Sequence, residues 1–557
     1  MGTSAAPSSA CRVLLVYPRF VAPSFWNFPA VCELAGARYP TAPLGLITVA
    51  AMLPASWDLR LIDRNVEDLT PADIDWADLV LTTGMLPQQP DTLEVIELVR
   101  RHGKPVAVGG PDVTSSPDVY AQADFRVLGE AELVIDAFVG AWHAGQRQGL
   151  FEAEKFKADV TRTPIPRFDL LDFKNYLFVG VQYSRGCPYT CEFCDIIELY
   201  GRVPRTKTNE QMLAEIEALY NLGYRGHLDF VDDNFVGNKK AIKRFLPALT
   251  QWQREHGYPF EFTTEASINL ADDDQLLQLM RAANFIGVFI GIESPDTDTL
   301  VSMQKKQNTR RSLAASVHKI YAAGMFVTAG FILGFDSEKS SVAEGMVASI
   351  EQTAIPVCMV GLLHALPGTQ LTRRLTREGR LFAGNRTWTR TARRADWYAE
   401  GGLNFDTARP RRDILADYVQ VLERIYHPDA YFARVKHVGR HLRLPPPEGF
   451  LPLTPGELFM ALGLSWYLLR QQPRLIGRFC ATARDCFVHN PAALKSVLML
   501  MALYIHLGPF AATVAQALKT QIARLDEGAW QPPPRVPASA AFAPEPHAAA
   551  APAKAAS

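Results

Sequence analysis

The sequence predicts an α/β protein: a doubly wound parallel sheet, then a full or partial (β/α)6 barrel, then C-terminal helices. Three observations carry this. Short apolar runs alternate with helix-compatible stretches from residue 11 onward, a second such series begins after residue 175, and the alternation fades beyond about 386 into mainly helical segments. Strands separated by helices imply parallel sheets covered on both faces. With 557 residues the chain exceeds what one core usually supports.

The first series starts at Val13-Leu14-Leu15-Val16-Tyr17 and continues through Leu59–Ile62, Leu79–Thr83, Pro105–Val108 and Phe125–Leu128, with helices expected over Gly45–Leu53 and Thr92–His102. Residues 11–150 therefore read as one doubly wound domain, whose ligands sit beyond the C-terminal strand ends. The loops there are Tyr17-Pro18-Arg19, Asp63-Arg64-Asn65, Thr82-Thr83-Gly84, Gly109-Gly110-Pro111 and Gly129-Glu130. Residues 151–175, with Pro164-Ile165-Pro166-Arg167, read as a linker. The second series, Phe178–Ser184, His227–Val231, Phe260–Thr264, Gly287–Ile292, Val327–Leu333 and Val357–Leu363, fills 176–385. Its first helix opens on a capping box at Thr208-Asn209-Glu210-Gln211 and stops near Gly223. A barrel of such units gathers its chemistry at the C-terminal ends of the strands. Residues 386–450 read as a barrel-associated region carrying Arg393-Arg394 as a solvated pair, 451–530 as a helical extension and 531–557 as a disordered Ala/Pro-rich tail.

Lys and Arg number 57 against 58 Asp and Glu, so no global field attracts nucleic acid or an anionic surface. Eight cysteines are too few for a disulfide scaffold of this length, and the first ten residues lack the features of a secretory signal, which points to the cytoplasm. The apolar run Val497–Leu507, ended by Gly508-Pro509, is too short to span a bilayer and is expected as a buried or interfacial helix. The apolar block from Leu498 to Leu503 fits peripheral contact with membrane lipid, and a buried helix equally well.

Three thiols fall in eight residues, as Cys187-x3-Cys191-x2-Cys194, directly after a barrel strand. A loop lets three such close residues converge on one iron-sulfur cluster, and three ligands leave one iron open for a substrate or cofactor. A zinc knuckle is the alternative, but structural zinc wants a fourth Cys or His nearby, and no His lies within thirty residues on either side. Asp232, Asp233 and Asn234 end the second barrel strand, Glu265 the third and Glu293 the fourth; helix capping or a salt bridge in the barrel mouth are their plainer uses.

Cys187-x3-Cys191-x-Phe193-Cys194 after the first strand of such a series resembles the signature of the radical S-adenosylmethionine (SAM) superfamily. The resemblance implies a [4Fe-4S] cluster on Cys187, Cys191 and Cys194, SAM chelating the open iron, and reductive cleavage to a 5'-deoxyadenosyl radical with electrons from an external donor. It further implies that Phe193 packs near the adenine, that one of Asp232, Asp233 and Asn234 meets the SAM amino group although the family's Gly-Gly-Glu form is missing, and that Glu265 and Glu293 belong to the SAM pocket.

The leading sheet domain, with Pro43-Leu44-Gly45-Leu46, Gly109-Gly110-Pro111 and Pro164-x-Pro166-Arg167, resembles the cobalamin-binding class of that superfamily. Its corrin site is expected from Asp63, Asn65, Thr83, Gly109, Gly110 and Gly129; Asn65 stands where many cobalamin domains carry an axial His. The segments Cys194–Thr208 and Phe230–Lys239 are similar to the branch containing the hopanoid C-2 methylase, over about 11–440. The implied function is C-methylation of an unactivated carbon in a small or lipid-like molecule, one SAM methylating the corrin and a second generating the radical. A cobalamin-dependent rearrangement, cyclisation or oxidation is the first alternative, a non-catalytic cobalamin or redox sensor the second.

Overall fold

A computed structural model describes residues 11–21, 23–309, 311–383, 402–444 and 455–539. The front sheet has strands β1 (Arg12–Tyr17), β3 (Asp58–Asp63), β4 (Leu79–Thr83), β5 (Val106–Gly109), β6 (Phe125–Leu128) and β7 (Gly149–Glu152), all parallel, in the order β3-β1-β4-β5-β6-β7. The period-2 alternation of strands divides its apolar residues between two cores: Val13, Leu15, Leu79, Leu81 and Phe125 on one face, Leu14, Val16, Val80, Val106 and Val108 on the other. β7 lies where the sequence suggested the start of a linker. Its four residues alternate at a half-exposed sheet edge, too short and too polar a pattern to stand out.

The second sheet, β2 (Tyr39–Thr41), β8 (Tyr176–Val181), β11 (Gly226–Phe230), β12 (Phe260–Ala266), β13 (Gly287–Glu293), β14 (Phe326–Leu333) and β15 (Val357–Leu362), runs in the order β15-β14-β13-β12-β11-β8-β2. Six of these are the expected barrel strands. The seventh, β2, comes from the front third of the chain and pairs in parallel with β8, Tyr39 opposite Tyr176 and Thr41 opposite Phe178. The capping box is present: the Thr208 side chain accepts from Gln211 N–H and the Gln211 side chain from Thr208 N–H. A two-stranded hairpin of β9 (Ser184–Arg185) and β10 (Arg205–Thr206) frames the cysteine segment.

Helices Arg411–Ile425, Pro428–His441, Pro455–Gln471, Ile476–His489 and Leu494–Asp526 follow, and the last packs lengthwise on Arg411–Ile425. This long helix corrects the expectation of a stop at Gly508-Pro509. Proline removes the N–H that would bond Ile505 C=O, and Gln472 Nε2 approaches that carbonyl at 3.5 Å instead. Residues Pro491–Asp526 are long and apolar enough to cross a membrane, yet 56% of the apolar window is buried inside the protein. Val497, Leu500, Met501, Ile505 and Leu518 join the barrel's own core, and Phe510 meets Phe25 edge to face at 4.8 Å. Residues 531–539 are another correction to the expected disordered tail: Ala383 N donates to Pro534 C=O at 2.5 Å and Val536 N to Leu381 C=O at 2.8 Å. Arg393, Arg394 and residues 540–557 lie outside the described residues.

Candidate functional site

The cysteine segment leaves β9 through Gly186, whose φ of 97° suits glycine and where a Cβ would crowd three carbonyl oxygens, those of Gly201, Val203 and Tyr200, at 3.0–3.2 Å. Cys187 N donates to Gly201 C=O at 3.2 Å, and Cys194 N to Cys191 C=O at 3.2 Å. Burial pushes the Cys187 and Cys194 thiols up, so thiolate ligation must displace protons. Among the described residues no three His, Cys, Asp or Glu side chains converge tightly enough for a single metal ion. The donor set of three thiols on one loop fits the cluster better than it fits zinc.

The residues expected to touch SAM divide into two groups. Asp232 and Asp233 serve the loop itself: Asp232 accepts from Tyr183 N at 2.9 Å, Ser184 N at 2.5 Å and Ser184 Oγ at 2.5 Å, and Asp233 accepts from Gly186 N at 2.7 Å. Burial nevertheless raises the Asp232 carboxyl to about 7 and Asp233 to about 6. Asn234 is spent on Ser267, accepting from its N–H at 3.1 Å, while its Nδ2 lies 3.9 Å from Cys187 Sγ. All three side chains are hydrogen-bonded to the cysteine loop or to its surroundings.

Glu265 and Glu293 are differently placed. Glu265 Oε2 is buried with no hydrogen-bond partner, and burial, reinforced by Asp229, holds its carboxyl well above the usual range. Such an acceptor is costly unless a ligand supplies a donor or a positive charge. Glu293 adopts a left-handed φ of 67°, fixed by Asn308 Nδ2, which donates to Gly291 C=O at 3.1 Å and Ile292 C=O at 3.0 Å. It pairs with buried Lys305, whose ammonium also stands 5.8 Å from the Phe193 ring centre. Phe193 itself meets Phe335 edge on at 5.8 Å. The segment carrying Lys305 and Asn308 was not singled out from sequence; its signal is a pair of lysines one short helix beyond a carboxylate at a strand end. It is joined to the cysteine loop by Glu192 N, which donates to Met303 C=O at 3.0 Å, and by Gln307 Nε2, 3.7 Å from Cys191 Sγ. A thiolate only accepts, so the amide N–H of Gln307 must face it.

Between the front sheet's C-terminal strand ends and the barrel mouth lies a cavity of about 320 Å³, lined from the front by Leu44, Val49, Thr83 and Gly109 and from the barrel by Gln182, Arg185, Tyr200 and Val231. Gly110 and Gly129 line it as well, with φ of 108° and 81°. At Gly110 a Cβ would stand 2.5 Å from Thr83 Oγ1, so the floor is held to bare backbone. A mostly apolar cleft with a backbone floor suits a large flat cofactor. Four of the six residues expected there, Thr83, Gly109, Gly110 and Gly129, are brought together. Asp63 and Asn65 are not among the lining residues: Asp63 accepts from Asn65 N at 2.9 Å and Asn65 Nδ2 at 2.8 Å, and Tyr176 OH donates to it at 3.0 Å. That loop ties the front sheet to β8.

The cavity wall also carries a contact that sequence did not reveal. Arg185, two residues before Cys187, reaches Glu130 at 3.1 Å and Glu132 at 2.7 Å, and Arg205 reaches Glu130 at 2.8 Å, all largely buried. A forked guanidinium across two carboxylates locks the cysteine loop onto the front sheet. Inside the barrel, Thr263 Oγ1 donates to Asp229 at 2.5 Å and lies 2.8 Å from His227 Nε2, a polar line beneath the mouth.

Residues 181–346 match the Radical SAM superfamily and 369–520 a domain of unknown function (DUF4070). The chain is 43% identical over 518 residues to an uncharacterised methyltransferase of Synechocystis sp., covering 92% of this chain and 94% of that protein. It is 36% identical over 438 residues to the hopanoid C-2 methylase of Rhodopseudomonas palustris, covering 77% and 80%. Similarity therefore extends well beyond residue 440, into the helices for which the sequence alone offered no counterpart. Among solved structures, the radical SAM methyltransferase TsrM from Kitasatospora setae shares the fold, with a TM-score of 0.58 at 16% identity over 86% of this chain and 99% of TsrM. The chain belongs to the radical SAM superfamily, in the branch that contains the hopanoid C-2 methylase.

Proposed function

We propose that the protein is a cobalamin-dependent radical SAM methyltransferase acting on an unactivated carbon of a small, lipid-like substrate. The observation that carries this reading is the cavity itself, which opens between the front sheet's glycine-floored strand ends and the loop of Cys187, Cys191 and Cys194. Cysteines 187, 191 and 194 would hold the cluster, Glu265, Glu293, Lys305 and Phe193 would wall the SAM pocket, and Thr83, Gly109, Gly110 and Gly129 would form the corrin floor. When bound, these cofactors supply a hydrogen-abstracting 5'-deoxyadenosyl radical and a transferable methyl group.

The chain's own residues position and exclude. The Arg185 fork fixes the distance between the two cofactor sites, and the apolar lining formed by Leu44, Leu46, Val49 and Met52 keeps water from reactive species. Tyr200, on the same wall, has its phenol raised to about 12 by burial, so it stays a neutral donor. A substrate entering the barrel would lie between the cavity and the SAM pocket, beside Asp229 and Thr263. The hopanoid methylase relative supports a lipid-like substrate, and reduced thiols suit the cytoplasm together with an external electron donor.

The test is transfer of label from methyl-labelled SAM into a lipid extract by anaerobically reconstituted protein with a reductant. The expected result is a labelled product heavier by one methylene. Formation of 5'-deoxyadenosine with an unlabelled product would sink the methyltransferase reading in favour of a non-methylating rearrangement, cyclisation or oxidation. Absence of SAM turnover would favour a sensor.

A further inference from the structure

Among the described residues, seven large apolar side chains are at least half exposed, and five of them, Leu462, Trp466, Leu469, Phe487 and Val488, fall in one helical hairpin of Pro455–Gln471 and Ile476–His489. Their exposures run from 50% to 65%. Leu462, Trp466 and Leu469 recur at spacings of four and three, so they form one stripe along the helix. Leu464 and Leu468, half a turn away, are buried and hold the same helix to the body of the protein. The outer stripe is therefore an addition to the packing face.

The hairpin's own charges are mainly basic, with Glu33 of the helix Pro29–Ala35 beside Tyr467 as an acid facing it from the neighbouring element. Between Leu462 and Asn490 there are four arginines, Arg470, Arg474, Arg478 and Arg484, and a single acid, Asp485. That acid is engaged by Arg440 at 2.5 Å from the neighbouring helix. Arg478 is occupied by Asp429 at 2.6 Å, and among the described residues Arg470, Arg474 and Arg484 have no acidic partner. Arg470 lies over the Trp466 ring at 4.6 Å, joining the cationic and apolar parts of the patch.

We infer that this hairpin docks the protein on the surface of an anionic phospholipid bilayer. An exposed apolar stripe with tryptophan, flanked by arginines, matches the boundary between acyl chains and anionic headgroups. A second copy of the chain fits less well, because a two-fold contact through this face would set arginines against arginines. The helix Leu494–Asp526, for all its length, has 56% of its apolar window buried inside the protein, so the exposed hairpin is the better-placed attachment. This inference is independent of the methyl-transfer reading.

The test is flotation of the full-length protein with vesicles of phosphatidylglycerol in phosphatidylcholine, compared with phosphatidylcholine alone. The wild type is expected to float with the anionic vesicles and to be released by salt. The combined substitution Leu462→Ser, Trp466→Ser, Leu469→Ser should weaken binding more than about tenfold, with an unchanged circular-dichroism melt. As a second arm, Arg470→Gln, Arg474→Gln, Arg484→Gln should remove the preference for anionic vesicles while leaving the fold intact. Three results would overturn the inference: wild type that does not float, serine and glutamine variants that both float as well as wild type, or a wild-type dimer that the serine variant converts to monomer without any vesicle binding.

Discussion

Cys191→Ala is expected to abolish 5'-deoxyadenosine formation while leaving the chain folded. The thiol is buried, and alanine removes only its sulfur, so the loop's backbone bonds, Cys194 N to the carbonyl of residue 191 and Glu192 N to Met303 C=O, are retained. A three-thiol site has no spare ligand: the other cysteines, Cys11, Cys32, Cys358, Cys480 and Cys486, lie outside this loop, and three of them are buried. Iron content and the cluster's visible absorption, measured beside deoxyadenosine by mass spectrometry, check this. A variant that keeps both iron and SAM cleavage would contradict the assignment.

The second large effect is expected at Arg185. Replacing it by methionine keeps the volume of the stem but leaves Glu132 without its guanidinium partner and Glu130 with Arg205 alone. Breaking a buried pair by removing one partner costs about 3–5 kcal/mol, because the remaining charge is uncompensated. Despite burial, Arg185 holds the Glu132 carboxyl below its ordinary value. In the wild type this contribution is present above the unfolded carboxylate pKa, near 4.5, and is lost as pH falls through the lowered folded value. The deficit of Arg185→Met should therefore be largest near neutrality and shrink as the freed carboxylates become protonated. Urea denaturation of the two proteins across the acidic range measures it. Arg185→Lys should recover only part of the loss, since an ammonium does not fork across two carboxylates. Equal stability of Arg185→Met and wild type at neutral pH would remove the interdomain lock.

How much of this was legible in the sequence follows from what each residue does locally. The cysteine spacing and the front strands are written in contiguous residues, so both could be read directly. β2 and β7 are short strands whose identity comes from partners far along the chain, Tyr39 opposite Tyr176 and Phe125 opposite Gly149, and no local pattern announces them. Asp232, Asp233 and Asn234 illustrate a different limit. Acidic residues at a strand end suit a ligand and a loop equally well, and their hydrogen bonds to Ser184 N and Gly186 N become visible only in the fold. Asp63 and Asn65 likewise satisfy one another rather than the cavity. Pro509 misled because proline is normally a helix stop; tertiary packing on both sides of it, through Ile505 and Phe510, holds the helix together. Arg185 was unreadable because its partners, Glu130 and Glu132, lie over fifty residues earlier and its value is entirely tertiary.

The most direct measurement of the central claim is elemental and spectroscopic analysis of a single anaerobically purified sample. Iron and acid-labile sulfide in equal amounts, together with bound corrin, are the predicted result, with the corrin lost on Gly110→Val, which fills the floor beside Thr83. Zinc without sulfide would contradict the cluster, and iron and sulfide without corrin would contradict the cobalamin-dependent methyltransferase.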